Sequence, residues 1–269
     1  MRTTERRVIL GLYRSSPTRD LLEGALDLGV TALDTAYNYH QFTAHRALAR
    51  IAGDLLPRFA VSTKVGYFPD GHDLRSRRLQ QAAEQSATDL GRAPDTLLLH
   101  NPECSPHDFA SACIALADMR EQGLCHAWGV ATWDPRPLLR ASRDAPRPDV
   151  VMVRAGLTVP AAVLDAAEEL AEHLGTEDLW GMAPFAGNTA DPIWKHVDTS
   201  LFLAPGQQAT PFQAGMAAAF TLPEVSRVAV GTSFLDHLAE SARASCTDVN
   251  TENLKRYRSL LRQAATASR

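Results

Sequence analysis

Short apolar runs alternate with longer amphipathic stretches along this chain of 269 residues, and the alternation recurs eight times. A short apolar run bounded by turn residues is typical of a buried strand, and an amphipathic stretch with a 3.6-residue period is typical of a helix that packs on one face. Regular alternation of the two favours parallel strands joined by helices. The predicted helices cover about residues 18–28, 44–56, 79–90, 108–122, 137–143, 161–173, 210–220 and 235–244, and a terminal helix covers about residues 251–267.

The number and length of these units predict an α/β fold, a (β/α)8 TIM barrel in a single domain over residues 1–269. The terminal helix is predicted to be an extra C-terminal element. Several predicted helices are followed by a glycine in the position of a left-handed helix end: Gly29, Gly91, Gly123 and Gly175. No Pro-, Gly- or Ser-rich linker divides the sequence. The alternative, an open doubly wound sheet, is disfavoured because the sequence lacks the GxGxxG fingerprint, the phosphate-loop lysine motif and the GxSxG elbow.

The charge of the chain argues against several classes of partner. A formal net charge of −4 and an isoelectric point near 6.1 leave no basic field for nucleic acid or anionic lipid. No apolar run approaches the roughly 20 residues of a membrane-spanning helix, and the early apolar run is too short for a signal peptide. We therefore expect a cytoplasmic protein without membrane contact. The four cysteines show neither CxxC nor metal-ligand spacing, so we predict no metal site and no disulfide framework.

Polar side chains occur where the second, third and fourth predicted strands end. Asp34 and Tyr39 belong to the segment DTAYNY, Lys64 to STKVG and His100 to LLLHNPE. The carboxyl ends of the strands of a barrel meet at one mouth, so these four side chains are expected to lie together. Lys64 is also one of only three lysines beside 24 arginines, and an ammonium shifts pKa values more readily than a guanidinium.

These four residue types together suit proton transfer to and from a carbonyl oxygen. A phenol with a pKa of about 10 is a weak acid and base near neutrality, but a neighbouring cation favours the phenolate. We predict Tyr39 as the general acid and base, Lys64 as the group that tunes its pKa, and Asp34 as the anchor of Lys64. His100 is predicted to donate a hydrogen bond that orients the substrate oxygen.

Each of these residues also has an ordinary structural interpretation when it is taken singly. Asp34 could cap a turn, Tyr39 could be a half-buried packing aromatic, and His100 could be a satisfied polar residue. The placement of all four at matching strand ends favours the catalytic interpretation.

As a set, the motifs DTAxxY, STKVG and LLLHNPE resemble those of the aldo-keto reductase superfamily, whose tetrad is Asp, Tyr, Lys and His in this order. The resemblance runs from about Arg7 to Ala244, and the KVG context and the AGLT segment are most similar to an aldose-dehydrogenase-like branch. It implies an NAD(P)-dependent oxidoreductase that interconverts a carbonyl compound and an alcohol or lactol by hydride transfer.

The resemblance also implies a cofactor site, which this chain matches less closely. Where the family holds the nicotinamide with Ser, Asn, Gln and a stacking aromatic, the chain has Ala131, Thr132, Met152 and Met182. The loop Gly231-Thr232-Ser233 is predicted to bind phosphate at a helix N-terminus, although Ser233 could instead cap that helix together with Asp236. His237 and Ser241 replace the arginine and asparagine that grip the 2′-phosphate of NADP. The cofactor is therefore predicted to be NADP or NAD, without a clear preference.

The substrate is predicted to be a small carbonyl compound or alcohol. After Tyr39, the residues His40, Gln41 and Phe42 replace a glycine-led loop, and we expect His40, Trp133 and Phe68 to contact the substrate. Tyr67 and the segment 188–208, which contains Trp194, are further candidates. The sequence shows neither the family's N-terminal hairpin nor its long C-terminal loop, so an open pocket is expected.

A second function stays open at this stage. The tetrad could serve non-redox acid and base chemistry in a lyase, dehydratase or cyclase of a specialised biosynthetic pathway. A non-catalytic binding subunit is disfavoured because binding alone requires neither Tyr39 nor Lys64. We expect a monomer or a weak homo-oligomer.

Overall fold

The computed structural model describes residues 5–188, 194 and 196–267. The strands, in chain order, are β1 (Arg7–Gly11), β2 (Ala32–Asp34), β3 (Ala60–Val65), β4 (Tyr67–Phe68), β5 (Gly71–His72), β6 (Thr96–His100), β7 (Ala127–Thr132), β8 (Val150–Arg154), β9 (Leu179–Met182) and β10 (Arg227–Gly231). The helices are α1 (Arg19–Asp27), α2 (Ala44–Ala52), α3 (Ser76–Leu90), α4 (Phe109–Glu121), α5 (Ala161–Leu174), α6 (Pro211–Ala219), α7 (Leu235–Ala244) and α8 (Thr251–Ala267). Short 3-10 turns lie at Leu56–Arg58, Pro102–Cys104, Pro106–Asp108, Arg136–Leu138, Ala141–Asp144 and Thr199–Phe202.

Eight parallel strands close into a barrel, which confirms the predicted (β/α)8 fold. Each barrel strand pairs with the next barrel strand along the chain, and β10 pairs with β1 to complete the ring. The antiparallel hairpin of β4 and β5 lies outside this sheet. The extra helix α8 is also confirmed. It packs on α5, where the guanidinium of Arg258 reaches Asp165 at 2.5 Å and Glu168 at 2.6 Å.

Alternate residues of each strand face the barrel interior, where they form one apolar cluster. Its members are Ile9, Ala32, Leu98, Ala131, Val150, Met152, Trp180 and Ala229, with Met182 packed against it. The outward residues belong to the larger core between strands and helices. Gly129 on β7 lies close against β8, because a Cβ there would lie 2.2 Å from the Val150 carbonyl oxygen. The filled interior confines ligand access to the ends of the barrel.

The predicted helix ends are confirmed at the four glycines, but one predicted helix is absent and two helix boundaries differ clearly from the prediction. The φ angles are 75° at Gly29, 72° at Gly91, 77° at Gly123 and 67° at Gly175. The helix predicted at 137–143 is wrong: two 3-10 turns stand there instead. The segment 133–148 contains four prolines, which lack the N–H that a continuous helix needs. In addition, α2 ends at Ala52 rather than near residue 56, and α3 begins at Ser76 rather than near residue 79.

The amino-terminal end of the barrel contains a cavity of about 270 Å³ lined in part by Asp95, Asp149 and Asp178. These carboxylates join neighbouring elements. Asp95 accepts a hydrogen bond from the Val61 N–H at 2.7 Å, and Asp149 accepts one from the Trp128 N–H at 2.9 Å. We therefore assign this end of the barrel to stability. None of the described helices is both long and apolar enough to cross a membrane.

Candidate active site

The four predicted catalytic residues lie together at the carboxyl-terminal mouth of the barrel. Asp34 ends β2, Lys64 lies near the end of β3, and His100 ends β6. Since β3 pairs with both β2 and β6, the three positions are on adjacent strands. Tyr39 follows β2, and its ring lies 5.4 Å from the Lys64 ammonium and 6.0 Å from the His100 ring, measured to ring centroids.

Lys64 and Asp34 form a buried ion pair. The Lys64 Nζ lies 2.5 Å from Asp34 Oδ2, and the exposed fractions of the two side chains are 2% and 8%. Nζ also donates to the Thr35 carbonyl oxygen at 3.0 Å, and the other Asp34 oxygen accepts from Ser62 Oγ at 2.9 Å. Burial by itself would lower the pKa of Lys64, but the charge of Asp34 and a smaller contribution from the Tyr39 phenol raise it above its usual value. Lys64 is therefore a fixed cation beneath the phenol.

Tyr39 is half-buried and contacts two aromatic rings. The Tyr13 ring lies 5.1 Å from it and the His100 ring 6.0 Å, measured between ring centroids. Burial raises the pKa of Tyr39, the Lys64 charge lowers it, and the Asp34 charge raises it, with a net value above the ordinary one. Lys64 thus acts in the predicted direction, but burial outweighs it. Tyr39 stays protonated near neutrality and can donate a proton.

The turn after Tyr39 has an unusual backbone. His40, Gln41 and Phe42 have φ angles of 48°, 54° and 66°, a left-handed conformation that costs L-residues about 1 kcal/mol each. Thr43 Oγ1 donates to the His40 carbonyl at 2.6 Å, and the Phe42 ring packs edge-on against Tyr37 at 5.4 Å. The bulk predicted beside the phenol is therefore accommodated by a strained turn.

His100 is neutral and incompletely hydrogen-bonded. Its pKa lies well below the usual value because of burial, with smaller contributions from the charges of Lys64 and His72. Its Nδ1 is buried, and no described residue hydrogen-bonds to it. A neutral imidazole retains one N–H to donate, which suits contact with a substrate oxygen.

The β4–β5 hairpin supports His100 and was missed by the sequence analysis. His72 Nε2 lies 2.9 Å from the His100 carbonyl oxygen, and the Tyr67 ring packs edge-on against the His100 ring at 5.0 Å. The signal was present, since Pro69-Asp70-Gly71 is a typical turn sequence. Strands β4 and β5, with two residues each, are too short to show the two-residue alternation by which a strand is recognised in a sequence.

The predicted nicotinamide contacts divide between the two faces of the strands. Ala131 and Met152 face inward beneath the mouth and are almost fully buried, while Met182 is partly exposed above them. Thr132 faces the other way because side chains alternate along β7, and its hydroxyl donates to Glu103 at 2.8 Å. The Thr132 hydroxyl is therefore engaged by Glu103 in this structure, and its contact with a cofactor stays a prediction.

Glu103, which the sequence analysis did not single out, fixes the end of β7. Besides the Thr132 hydroxyl, it accepts from the backbone N–H groups of Trp133 at 2.7 Å and Asp134 at 3.1 Å. This one carboxylate therefore sets the position of Trp133 at the rim. A single glutamate after a strand carries no sequence signal for such a role.

The predicted phosphate loop lies at the end of β10. Gly231 is exposed and pairs with Gly11, and Thr232 Oγ1 accepts from the Phe234 N–H at 3.1 Å. The proposed cap by Ser233 and Asp236 is wrong. Helix α7 begins after Phe234, and Ser233 Oγ instead accepts from the Ser16 N–H at 3.0 Å.

The two predicted 2′-phosphate positions differ in accessibility. His237 is exposed in the first turn of α7, and its ring packs against Phe234 at 5.3 Å. Ser241 is 1% exposed, and its hydroxyl donates to the His237 carbonyl at 2.9 Å. The Ser241 hydroxyl is therefore covered and engaged in this structure, and its contact with a 2′-phosphate stays a prediction.

The predicted substrate residues surround the mouth unevenly. His40 is exposed, and Trp133 is 42% exposed at the rim. Phe68 has a packing role, since its ring lies between Arg78 at 4.0 Å and Tyr37 at 6.0 Å. Of the predicted segment 188–208, positions 189–193 and 195 lie outside the described residues.

A nicotinamide nucleotide fits part of this mouth. The paired Gly11 and Gly231 leave a strip free of side chains, where a Cβ on Gly231 would meet the nearest oxygens only at 3.4 and 3.6 Å. The apolar floor of Ala131, Met152 and Met182 suits a flat ring. For the carboxamide, these inward positions offer neither a hydroxyl nor an amide.

Comparisons with known proteins agree on the fold and the family. The model of the Aldo/keto reductase family matches residues 13–179, more than half of the chain. No curated protein matches the chain.

Several solved structures are similar over nearly the whole chain. An aldo-keto reductase from Bacillus halodurans in its holo form superposes with a TM-score of 0.76 at 17% identity and covers 95% of this chain and 91% of its own. An aldo-keto reductase from Klebsiella pneumoniae in complex with NADPH gives 0.71 at 19% identity, covering 94% and 90%. The aldose reductase from Giardia lamblia gives 0.73 at 16% identity, covering 96% and 92%. At these identities the likenesses show the fold.

The buried ion pair generates a prediction for stability. Asp34→Asn or Lys64→Met leaves one buried charge unpaired, so each is expected to lower the free energy of unfolding by about 3–5 kcal/mol. The double variant should cost clearly less than the sum of the two. Urea denaturation measures all three. Arg19→Met and Asp54→Asn, a surface pair with exposed fractions of 45% and 64%, form the control and should lower the free energy of unfolding far less than the variants of the buried pair. Equal losses of stability at the buried pair and at the surface pair would contradict the assignment of Lys64 and Asp34 as a buried ion pair.

His45 on α2 generates a prediction for pH. Burial is the main cause that lowers the pKa of His45 to about 4, and its Nε2 lies 2.8 Å from Thr63 Oγ1. Below pH 6.5 the unfolded chain binds a proton that the folded chain excludes. The stability from neutral His45 is therefore complete above pH 6.5 and is lost as the pH falls toward 4, by about 3 kcal/mol in all.

Urea denaturation of His45→Gln between pH 7 and pH 4 tests this. The variant should lose less stability than the wild type over this range, while His126→Gln, at an exposed histidine, should follow the wild type. The pKa of His100 is lowered as well, so the loss of stability between pH 7 and pH 4 should be smaller in His45→Gln but should not disappear. An unchanged pH profile in His45→Gln would refute the prediction.

Proposed function

The chain belongs to the aldo-keto reductase family, and from this premise we propose that it is an NAD(P)-dependent reductase that interconverts an aldehyde or ketone with an alcohol or lactol. The observation that carries the proposal is the buried Asp34–Lys64 ion pair beneath the Tyr39 ring, with neutral His100 beside it. A charge pair at this depth has a large desolvation cost, and a proton-transfer site gives a reason to retain it.

Tyr39 is the general acid in the reductive direction. Burial keeps its phenol protonated, so the proton is present when the carbonyl oxygen gains negative charge. After the proton leaves, the phenolate lies next to a fixed ammonium that stabilises it. Lys64 therefore lowers the energy of the charged product state rather than deprotonating the resting enzyme.

His100 orients the substrate oxygen. Its ring is neutral and packs edge-on against the rings of Tyr67 and Tyr39. A neutral imidazole N–H can donate to a carbonyl oxygen without adding a positive charge beside Lys64. The oxygen then lies between the donors of His100 and Tyr39.

The residues that would hold a nicotinamide nucleotide are the apolar floor of Ala131, Met152 and Met182 and the loop from Gly231 to Ser233, with His237 beyond it. When bound in reduced form, this cofactor supplies the hydride that reduces the carbonyl carbon. Exposed His237 offers a weaker partner for a 2′-phosphate than an arginine does. We therefore include both NADP and NAD in the proposal.

A second candidate is a non-redox enzyme that uses the same tetrad as a lyase, dehydratase or cyclase. It is favoured by one observation: the inward positions Ala131 and Met152 carry no polar group, and the Thr132 hydroxyl is bound to Glu103. The expectations of a cytoplasmic location and of a monomer or weak homo-oligomer stay predictions.

Cofactor binding separates the two candidates. NADH and NADPH are each expected to quench tryptophan fluorescence with a Kd below about 1 mM, and the two values should agree within about tenfold. His237→Arg should strengthen NADPH relative to NADH by about 10- to 100-fold, because a charge-assisted bond to the 2′-phosphate is added. His237→Gln is the control and should leave the ratio unchanged. Failure of both nucleotides to bind would remove the reductase proposal and leave the non-redox candidate.

Tyr39→Phe tests the proton donor. It should lower kcat by about 100- to 10,000-fold, since the general acid is removed, while NADPH affinity and the circular dichroism spectrum stay unchanged. Tyr37→Phe is the matched control, because its ring packs against Phe42 and Phe68, and its only described bond to the tetrad, from its backbone N–H to the Lys64 carbonyl, is kept in the variant. Full activity in Tyr39→Phe would show that another group supplies the proton.

A further inference from the structure

Arg154 is a cation at the mouth of the barrel that the tetrad does not use. It is the last residue of β8, and its Cα pairs with Met182 on β9. Because side chains alternate along a strand, Arg154 shares the inward direction of Met152, one layer higher. The sequence analysis did not single it out.

The Arg154 guanidinium is held in one orientation. Its Nε donates to the Trp133 carbonyl oxygen at 2.8 Å, and its Cζ lies 4.9 Å from the centre of the Trp133 ring. Glu103 in turn fixes the Trp133 backbone. A guanidinium that is stacked and hydrogen-bonded through Nε presents its terminal nitrogens as a preformed fork.

No described carboxylate forms an ion pair with this guanidinium. Asp134, a nearby acid, is bound by Arg136, whose Nε and Nη2 lie 2.8 Å and 2.6 Å from its oxygens. Glu103 accepts three hydrogen bonds from the end of β7. Burial lowers the pKa of Arg154, and the charge of Asp134 offsets this only in part. In the part of the chain that the structure describes, the two terminal nitrogens of Arg154 have no hydrogen-bond acceptor.

The barrel register sets the separation between Arg154 and the tetrad. His100 pairs with Ala131, and Ala131 pairs with Met152, so β8 is two strand spacings from β6. Two spacings are about 10 Å, and the two residues from Met152 to Arg154 add about 7 Å along the strand. The Cα atoms of His100 and Arg154 are therefore about 12 Å apart, a distance that a short molecule held between the two side chains would bridge.

We propose that Arg154 binds a carboxylate of the carbonyl substrate, so that the enzyme acts on short oxo acids. The proposal rests on the reductase function. The carbonyl carbon receives a hydride from the reduced nicotinamide cofactor, the oxygen receives the Tyr39 proton, and the product is a hydroxy acid with its carboxylate unchanged. Bidentate pairing of carboxylate and guanidinium fixes the far end of the molecule.

Kinetics with matched substrates test the role of Arg154. For 4-oxobutanoate, Arg154→Gln should raise KM by about 10- to 100-fold, the effect of losing a charge-assisted hydrogen bond. For the neutral methyl ester of the same acid, KM should stay within about twofold of the wild type. Arg140→Gln, at an exposed arginine in the segment after β7 with no described ion-pair partner, is the control and should leave both KM values unchanged. An equal effect on acid and ester, together with weaker NADPH binding, would assign Arg154 to the cofactor phosphates and overturn the proposal.

Binding without turnover keeps the test independent of the reductase function. Saturation-transfer NMR should show butanoate binding to the wild type and to Arg140→Gln, but not to Arg154→Gln. Butanamide, which is neutral and of similar size, should bind none of them measurably. Butanoate binding that survives Arg154→Gln would overturn the proposal even if the protein reduced no carbonyl compound.

Discussion

The buried ion pair of Lys64 and Asp34 is the interaction on which the site depends. Two opposite charges removed from water cost several kcal/mol each, and their attraction offsets this only when the remaining hydrogen bonds are made. Here Thr35 and Ser62 supply those bonds, from positions on or beside β2 and β3. The same pairing of strands that closes the barrel therefore places a permanent cation beneath Tyr39. The ion pair that contributes to the stability of the barrel therefore also positions the cation that the proposed proton transfer needs.

Backbone strain concentrates at the same end of the barrel. The described non-glycine residues with positive φ all follow the carboxyl end of a barrel strand: Arg14, His40, Gln41, Phe42, Asn101, Ala183 and Ala186. At the opposite end, aspartates such as Asp95 and Asp149 join neighbouring elements through unstrained hydrogen bonds. A rigid barrel whose amino-terminal end is well hydrogen-bonded can hold strained loop conformations at its carboxyl-terminal mouth. Such conformations are typical of functional sites.

The mouth has two chemically different halves. The side formed by β2, β3 and β6 carries the tetrad, whereas β7, β8 and β9 contribute an apolar floor with Arg154 above it. Such a floor gives a ligand surface to stack on but few polar contacts to fix its orientation. Arg154 supplies a charge where the floor supplies none. In our proposals, the first half performs proton transfer and the second half determines what is bound.

The sequence by itself determined the barrel, most helix ends and the grouping of Asp34, Tyr39, Lys64 and His100, because strand period, glycine helix ends and shared strand ends are local patterns. It did not determine the missing helix after β7, where prolines overrode an apolar pattern, nor the outward direction of Thr132. Only the tertiary structure decided that burial outweighs Lys64 in setting the pKa of Tyr39, that Ser233 binds Ser16, and that no described carboxylate pairs with Arg154. Each of these depends on which atoms of distant segments meet, and on how much water they exclude, and no local pattern encodes that.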